Sequence, residues 1–191
     1  MCIRDRLSHE VGVHLLTYFN GSAQGLRVFR TGLAGYEGMQ EGLAVFAEYL
    51  AGGFTSERLR LLAARVVGCN LMLSGASFVE AFRVMTGEHG LDPETAFALL
   101  LRVYRGGGLA KDAIYLRGLL TLLSHLKAGA ALDPFWMGKI SAAHFGVMEE
   151  LGARGLLKAP ILRPLCLETD RGRERLARAR AGLSPLAMLE A

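Results

Sequence analysis

The feature that most limits how this chain can fold is Ser8-His9-Glu10-Val11-Gly12-Val13-His14, close to its start. Two imidazoles and a carboxylate sit in one amphipathic segment that runs on into Leu15, Leu16, Tyr18 and Phe19. Helices that bind a peptidase metal commonly carry His-Glu-x-x-His, where histidines at i and i+4 share a face and the Glu is the general base. Here the spacing is one residue longer. A regular helix turns about 100° per residue, so an i, i+5 pair points roughly 140° apart and cannot reach one ion. Two readings follow. Either a one-residue π-bulge realigns the pair, with Gly12 easing the distortion, or the helix holds one buried and one exposed histidine and no shared metal.

A second stretch bears on that choice. Gly35-Tyr36-Glu37-Gly38-Met39-Gln40-Glu41-Gly42-Leu43-Ala44 opens another apolar helix. A catalytic zinc takes three protein ligands and keeps one open position, and two His with one Glu is an established set. From an antiparallel neighbouring helix, Glu41 or Glu37 could supply the third ligand.

Three blocks carry a resemblance: His9-Glu10-x-x-x-His14, then Gln40-Glu41-Gly42-Leu43-Ala44, then Tyr104-Arg105-Gly106-Gly107-Gly108-Leu109-x-Lys111-Asp112-x-x-Tyr115-Leu116. In that order they resemble the bacterial flavohemoglobin expression-modulating QEGLA-motif family, which is related to the eukaryotic microtubule-associated tyrosine carboxypeptidases. The resemblance extends from residue 7 to about residue 165. It implies a mainly α chain, the helical C-terminal part of a zincin-like metallopeptidase domain. It also implies a Zn2+ cofactor held by His9, His14 and Glu41, with Glu10 as general base, and Glu41 is preferred to Glu37 on the motif match alone. The implied activity is carboxypeptidase-like hydrolysis of a C-terminal peptide bond, the substrate being a peptide or protein C-terminus. The eukaryotic relatives remove a C-terminal aromatic residue from tubulin, and no residue of this chain reports that target. Two other functions compete: a non-catalytic regulator of gene expression, as the bacterial family's name implies, and an all-α interaction module with structural histidines.

A carboxypeptidase must hold a free carboxylate, which a bidentate arginine or a lysine does best. Arg105 and Lys111 flank the glycine run, with Arg102 and Tyr115 behind them, so Arg105, Lys111 and Tyr115 are the candidate substrate-binding residues. Tyr104 or Tyr115 could donate to a tetrahedral oxyanion. The glycine run lacks the G-x-x-x-x-G-K-[ST] pattern of a nucleotide loop. His89, His125 and His144 have no second ligand at metal spacing, and Asp112 reads as a helix cap.

A chain of 191 residues that is 51% hydrophobic has ample material for one core. Cys2, Cys69 and Cys166 are odd in number and dispersed, which argues against a disulfide framework and for a reducing cytoplasm. No apolar run approaches the 18 or so residues of a spanning helix, so no membrane partner is expected. Between Asp170 and Arg180 five arginines face two acids, but no aromatic residue interleaves them, and no nucleic-acid partner is expected.

Residues 1–6 read as a non-native leader, 7–165 as the metallopeptidase-like domain with its N-terminal part missing, and 166–191 as a charged helix and tail. The periodicity predicts a helix over 7–20 ending at Gly21, a loop carrying Gly25, Arg27 and Arg30, and a helix over 41–51 stopped by Gly52-Gly53. Ser56 reads as an N-cap, Ser77-x-x-Glu80 as a capping box, and Asp92-Pro93 as the start of a helix to Tyr104. Further helices are expected over 112–127 and 141–151, then a loop over 152–164. The final helix, over 168–181, has so little apolar face that it is expected to be solvated or frayed.

Overall fold

The computed structural model describes residues 6–106 and 110–190. Gly107 and Gly108 of the glycine run, and residues 1–5 of the expected leader, lie outside them. The chain is mainly α, as predicted, and the described residues contain no strand. It opens with a π-helix, Leu7–Leu15, followed by α1 (Leu16–Ser22), α2 (Val28–Thr31), α3 (Tyr36–Ala51) and α4 (Ser56–Leu73). Then come α5 (Phe78–Gly87), α6 (Pro93–Tyr104), α7 (Ile114–Lys127), α8 (Phe145–Ala153) and α9 (Asp170–Arg180), with short 3-10 turns between. No helix among the described residues is long and apolar enough to cross a membrane.

The chain divides into two compact units, one made of Met1–Thr55 with Arg117–Ala191, the other of Ser56–Leu116. In the first, α3 is the central element. It starts five residues before its predicted start, after Gly35 in the left-handed region (φ 74°), and ends at Gly52 (φ 86°), the predicted stop. Leu43, Phe46, Tyr49 and Leu50 of α3 are buried, as are Leu119, Leu122 and Leu126 of α7, and Phe135 and Trp136 of the turn that follows. Each such side chain contributes about 1.5–3 kcal/mol.

Backbone touches backbone where α3 meets α7. A Cβ on Gly42 would overlap the main chain at Gly118, and one on Gly118 would overlap the Gly38 carbonyl. The glycine beside Glu41 is therefore a packing requirement, and it fixes where Glu41 stands. Gly21, predicted to end the first helix, instead lies inside α1, and its lack of a side chain makes room for the Phe29 carbonyl. The loop over 152–164 is pinned by two amide side chains. Asn20 donates to the Trp136 and Leu162 carbonyls and accepts from the Leu162 N–H, each at 2.9 Å. Gln24 makes the same two-way clamp on Lys158.

The basic final helix is docked, contrary to the prediction of a solvated or frayed one. Thr169 caps α9 by accepting from the Gly172 N–H at 3.0 Å. Arg175 donates to the Leu50 carbonyl at 3.2 Å and lies over the Tyr49 ring. A cation at the C-terminal turn of α3 meets the negative end of that helix's dipole. The helix is held through its arginines, a contact that apolar periodicity does not register.

In the second unit, α4, α5 and α6 close over a core of Ala64, Cys69, Ala81, Met85, Ala96, Leu99, Leu100 and Val103. Its caps are those the sequence predicts. Ser77 and Glu80 form the complete capping box, and Asp92 accepts from the Thr95 N–H ahead of Pro93.

Candidate metal centre

The π-helix resolves the spacing problem posed by His9 and His14. Its i→i−5 pattern, seen in the Leu16 N–H bond to the Val11 carbonyl, spans all nine residues of Leu7–Leu15 rather than a single bulge. A turn that closes between residues i and i+5 brings His9 and His14 onto one face. Their ring centroids are 5.1 Å apart in an edge-to-face arrangement. Val13 on the same helix is fully buried, which anchors that face against α3.

Glu41 reaches this face from α3. Its Oε2 stands 3.4 Å from His9 Nε2 and 3.6 Å from His14 Nε2. One ligand atom from each of the three residues lies within 4.8 Å of the others, the one such group among the described residues. Glu37, the alternative left open by spacing, is exposed.

The donor set suits a metal. Bonds of about 2.0–2.2 Å in a tetrahedron hold ligand atoms roughly 3.3–3.6 Å apart, and the Glu41 separations of 3.4 and 3.6 Å fall in that range. Glu41 Oε2 is buried and has no hydrogen-bond partner among the described residues, so its imidazole neighbours are contacts at a spacing that leaves room for a cation.

The titration of these groups reflects the crowding. Burial opposes a charge on His9, but contacts with Glu41 and Glu48 outweigh it and raise its pKa to about 9. Burial likewise opposes ionisation of Glu41, but His14 and His9 outweigh it and hold the carboxyl at about 2. The stability these contacts give the metal-free chain depends on pH with a definite sign. The raised His9 value makes its contribution complete below about 6.5 and lost as pH rises through 9. The lowered Glu41 value makes its contribution complete above about 4.5 and lost as pH falls through 2. For the metal-free protein, the urea midpoint is expected to be highest between these limits and to fall on either side. A midpoint unchanged between pH 6.5 and pH 10 would show that the His9 contacts are absent.

Glu10, one position round from His9 on the same helix, is exposed and makes no hydrogen bond or ion pair among the described residues. The remaining candidates belong to the second unit. Tyr115 is buried, and its hydroxyl accepts from Arg102 Nη2 at 3.3 Å. Arg65 stacks on the same ring at 4.9 Å, a neighbour that sequence reasoning did not single out. Arg105 and Lys111 are exposed and make no side-chain hydrogen bond or ion pair among the described residues. Asp112 is not the cap expected of it, since its carboxylate pairs with Arg102 Nε at 2.6 Å. Tyr104 donates its hydroxyl to the Ala76 carbonyl at 2.6 Å. Of the histidines set aside, His144 bonds Ser141 in a capping arrangement, and His125 packs against Phe135 and Phe145.

Sequence reasoning also passed over Glu48. It is the one charged residue in the run Leu43–Leu50, fully buried, with Oε1 2.7 Å from His9 Nδ1. An acid inside an otherwise apolar run was the available signal.

Fold and site together describe a helical protein in which two imidazoles and one carboxylate converge on a point and could hold a metal ion. The chain belongs to the microtubule-associated tyrosine carboxypeptidase family, whose model matches residues 3–183. The family is thus one of carboxypeptidase-type enzymes, hydrolases of peptide bonds, the relationship that the three sequence blocks pointed to. No curated protein matches the chain.

Proposed function

We propose that this chain is a zinc-dependent carboxypeptidase-like hydrolase acting on a peptide or protein C-terminus, with His9, His14 and Glu41 as metal ligands and Glu10 as general base. The convergence of His9, His14 and Glu41 carries the reading, because a regular helix would have kept the two histidines apart. A zinc ion in such a site lowers the pKa of its bound water to about 7 and polarises a carbonyl.

The chain's own residues supply the rest. The Glu10 carboxylate takes the proton of the attacking water and passes it to the leaving amine, so no charged amide nitrogen has to depart. Its exposure leaves the carboxylate accessible to substrate. Arg105 and Lys111, exposed cations without partners among the described residues, are the candidates for holding the substrate's terminal carboxylate. The ring of Tyr115, fixed between Arg65 and Arg102, is the third candidate.

Metal content tests the reading. The protein purified without added zinc is expected to hold about one zinc per chain, and Glu41→Ala to lose it with the helical spectrum retained. A folded parent without metal would overturn the proposal and leave the non-catalytic readings.

A further inference from the structure

Each imidazole of the cluster has a second contact on the ring nitrogen that faces away from Glu41. His9 Nδ1 lies 2.7 Å from Glu48 Oε1, and the Glu48 side chain has no solvent exposure. A carboxylate only accepts, so Nδ1 must carry a hydrogen; in the neutral imidazole, the form that binds a cation, the lone pair is then on Nε2. His14 Nδ1 lies 3.4 Å from Gln40 Oε1, and Thr17 Oγ1 holds that same oxygen at 2.8 Å. Gln40, Glu41 and Glu48 all belong to α3, with Glu41 and Glu48 seven residues apart on one stripe. A buried carboxylate is costly unless it is paired, so the position of Glu48 calls for a role that an apolar residue cannot fill.

We propose that Glu48, with Gln40 in support, is a positioning residue: it fixes the tautomer and ring orientation that aim Nε2 of His9 and His14 at the point marked by Glu41. This rests on the metal reading above and adds the groups that orient the ligands. The same helix supplies a ligand and the acceptors behind the other two ligands, so the site is set as a unit when the π-helix packs on α3. Gln40 makes a longer and uncharged contact and is the weaker of the two.

The test is zinc affinity, measured by competition with a chromophoric chelator for the wild type, Glu48→Gln and Gln40→Leu. Glu48→Gln keeps the volume and an acceptor but loses the charge. It is expected to bind zinc about 10–100-fold more weakly, the usual effect of losing a group that orients a ligand, and Gln40→Leu is expected to lose less. A purely structural role would lower the unfolding midpoint and leave the affinity of the folded protein unchanged. A wild type that binds zinc beside a Glu48→Gln of equal affinity overturns this proposal and spares the metal reading. A folded wild type that takes up no zinc overturns both. If Glu48→Gln does not fold, the long-range 1H–15N spectrum of the zinc-loaded wild type decides. Protonated Nδ1 and metal-bound Nε2 at both histidines are expected, and coordination through Nδ1 at either overturns the proposal.

Discussion

Glu10→Gln is expected to lower turnover of a C-terminal peptide by about a hundred- to ten-thousand-fold while leaving zinc content unchanged, the usual worth of a positioned general base. The two effects separate because Glu10 is outside the group formed by His9, His14 and Glu41. Gln has nearly the same volume, and the position is exposed, so folding is not expected to suffer. What disappears is the ability to accept a proton from water and return it to the amine. Turnover and bound zinc measured on the same preparation check this. If hydrolysis persists at the parental rate, Glu10 is not the base. If the parent binds zinc but hydrolyses none of a set of C-terminal peptides, a regulatory role gains ground, since a regulator has no need of the carboxylate.

Gly118→Ala is expected to have the largest effect on stability, about 3 kcal/mol or more, at the upper end of what an overpacked contact costs. The added methyl would overlap the Gly38 carbonyl on α3, and main chain has no rotamer by which to yield. Relief requires α3 to part from α7, with loss of the burial of Leu43, Phe46, Leu119 and Leu122. Glu41 is carried by α3 one residue before Gly42, which makes the same crossing. Zinc binding is therefore expected to weaken along with stability. Gly146→Ala in α8 is the control: among the described residues nothing lies within 4 Å of the new methyl, and Ala is preferred to Gly in a helix by about 0.5–1 kcal/mol. Urea midpoints that fall for Gly118→Ala and rise slightly for Gly146→Ala would confirm the close crossing. Equal midpoints would contradict it.

The sequence by itself determined the helical class and several of its boundaries, because these depend on interactions within a few residues of each other. Ser77 with Glu80, Asp92 with Pro93, and Gly52 after Ala51 satisfy the ends of helices locally, and all three stand where local chemistry puts them. Residue types and block order also marked His9, His14 and Glu41, but the five-residue spacing left open whether two histidines could face one point. Only the tertiary structure decided that. A π-helix forgoes the regular i→i−4 hydrogen bonds, and the local sequence does not show what offsets that loss. Here the partners lie on α3: Glu41 and Glu48 on either side of the His9 ring, and Gln40 behind His14. Glu48 stayed unread for the same reason, since an acid in an apolar run declares its purpose only when a histidine 39 positions earlier packs against it. Gly42 needed the fold as well, because the close approach it permits depends on Gly118, far along the chain.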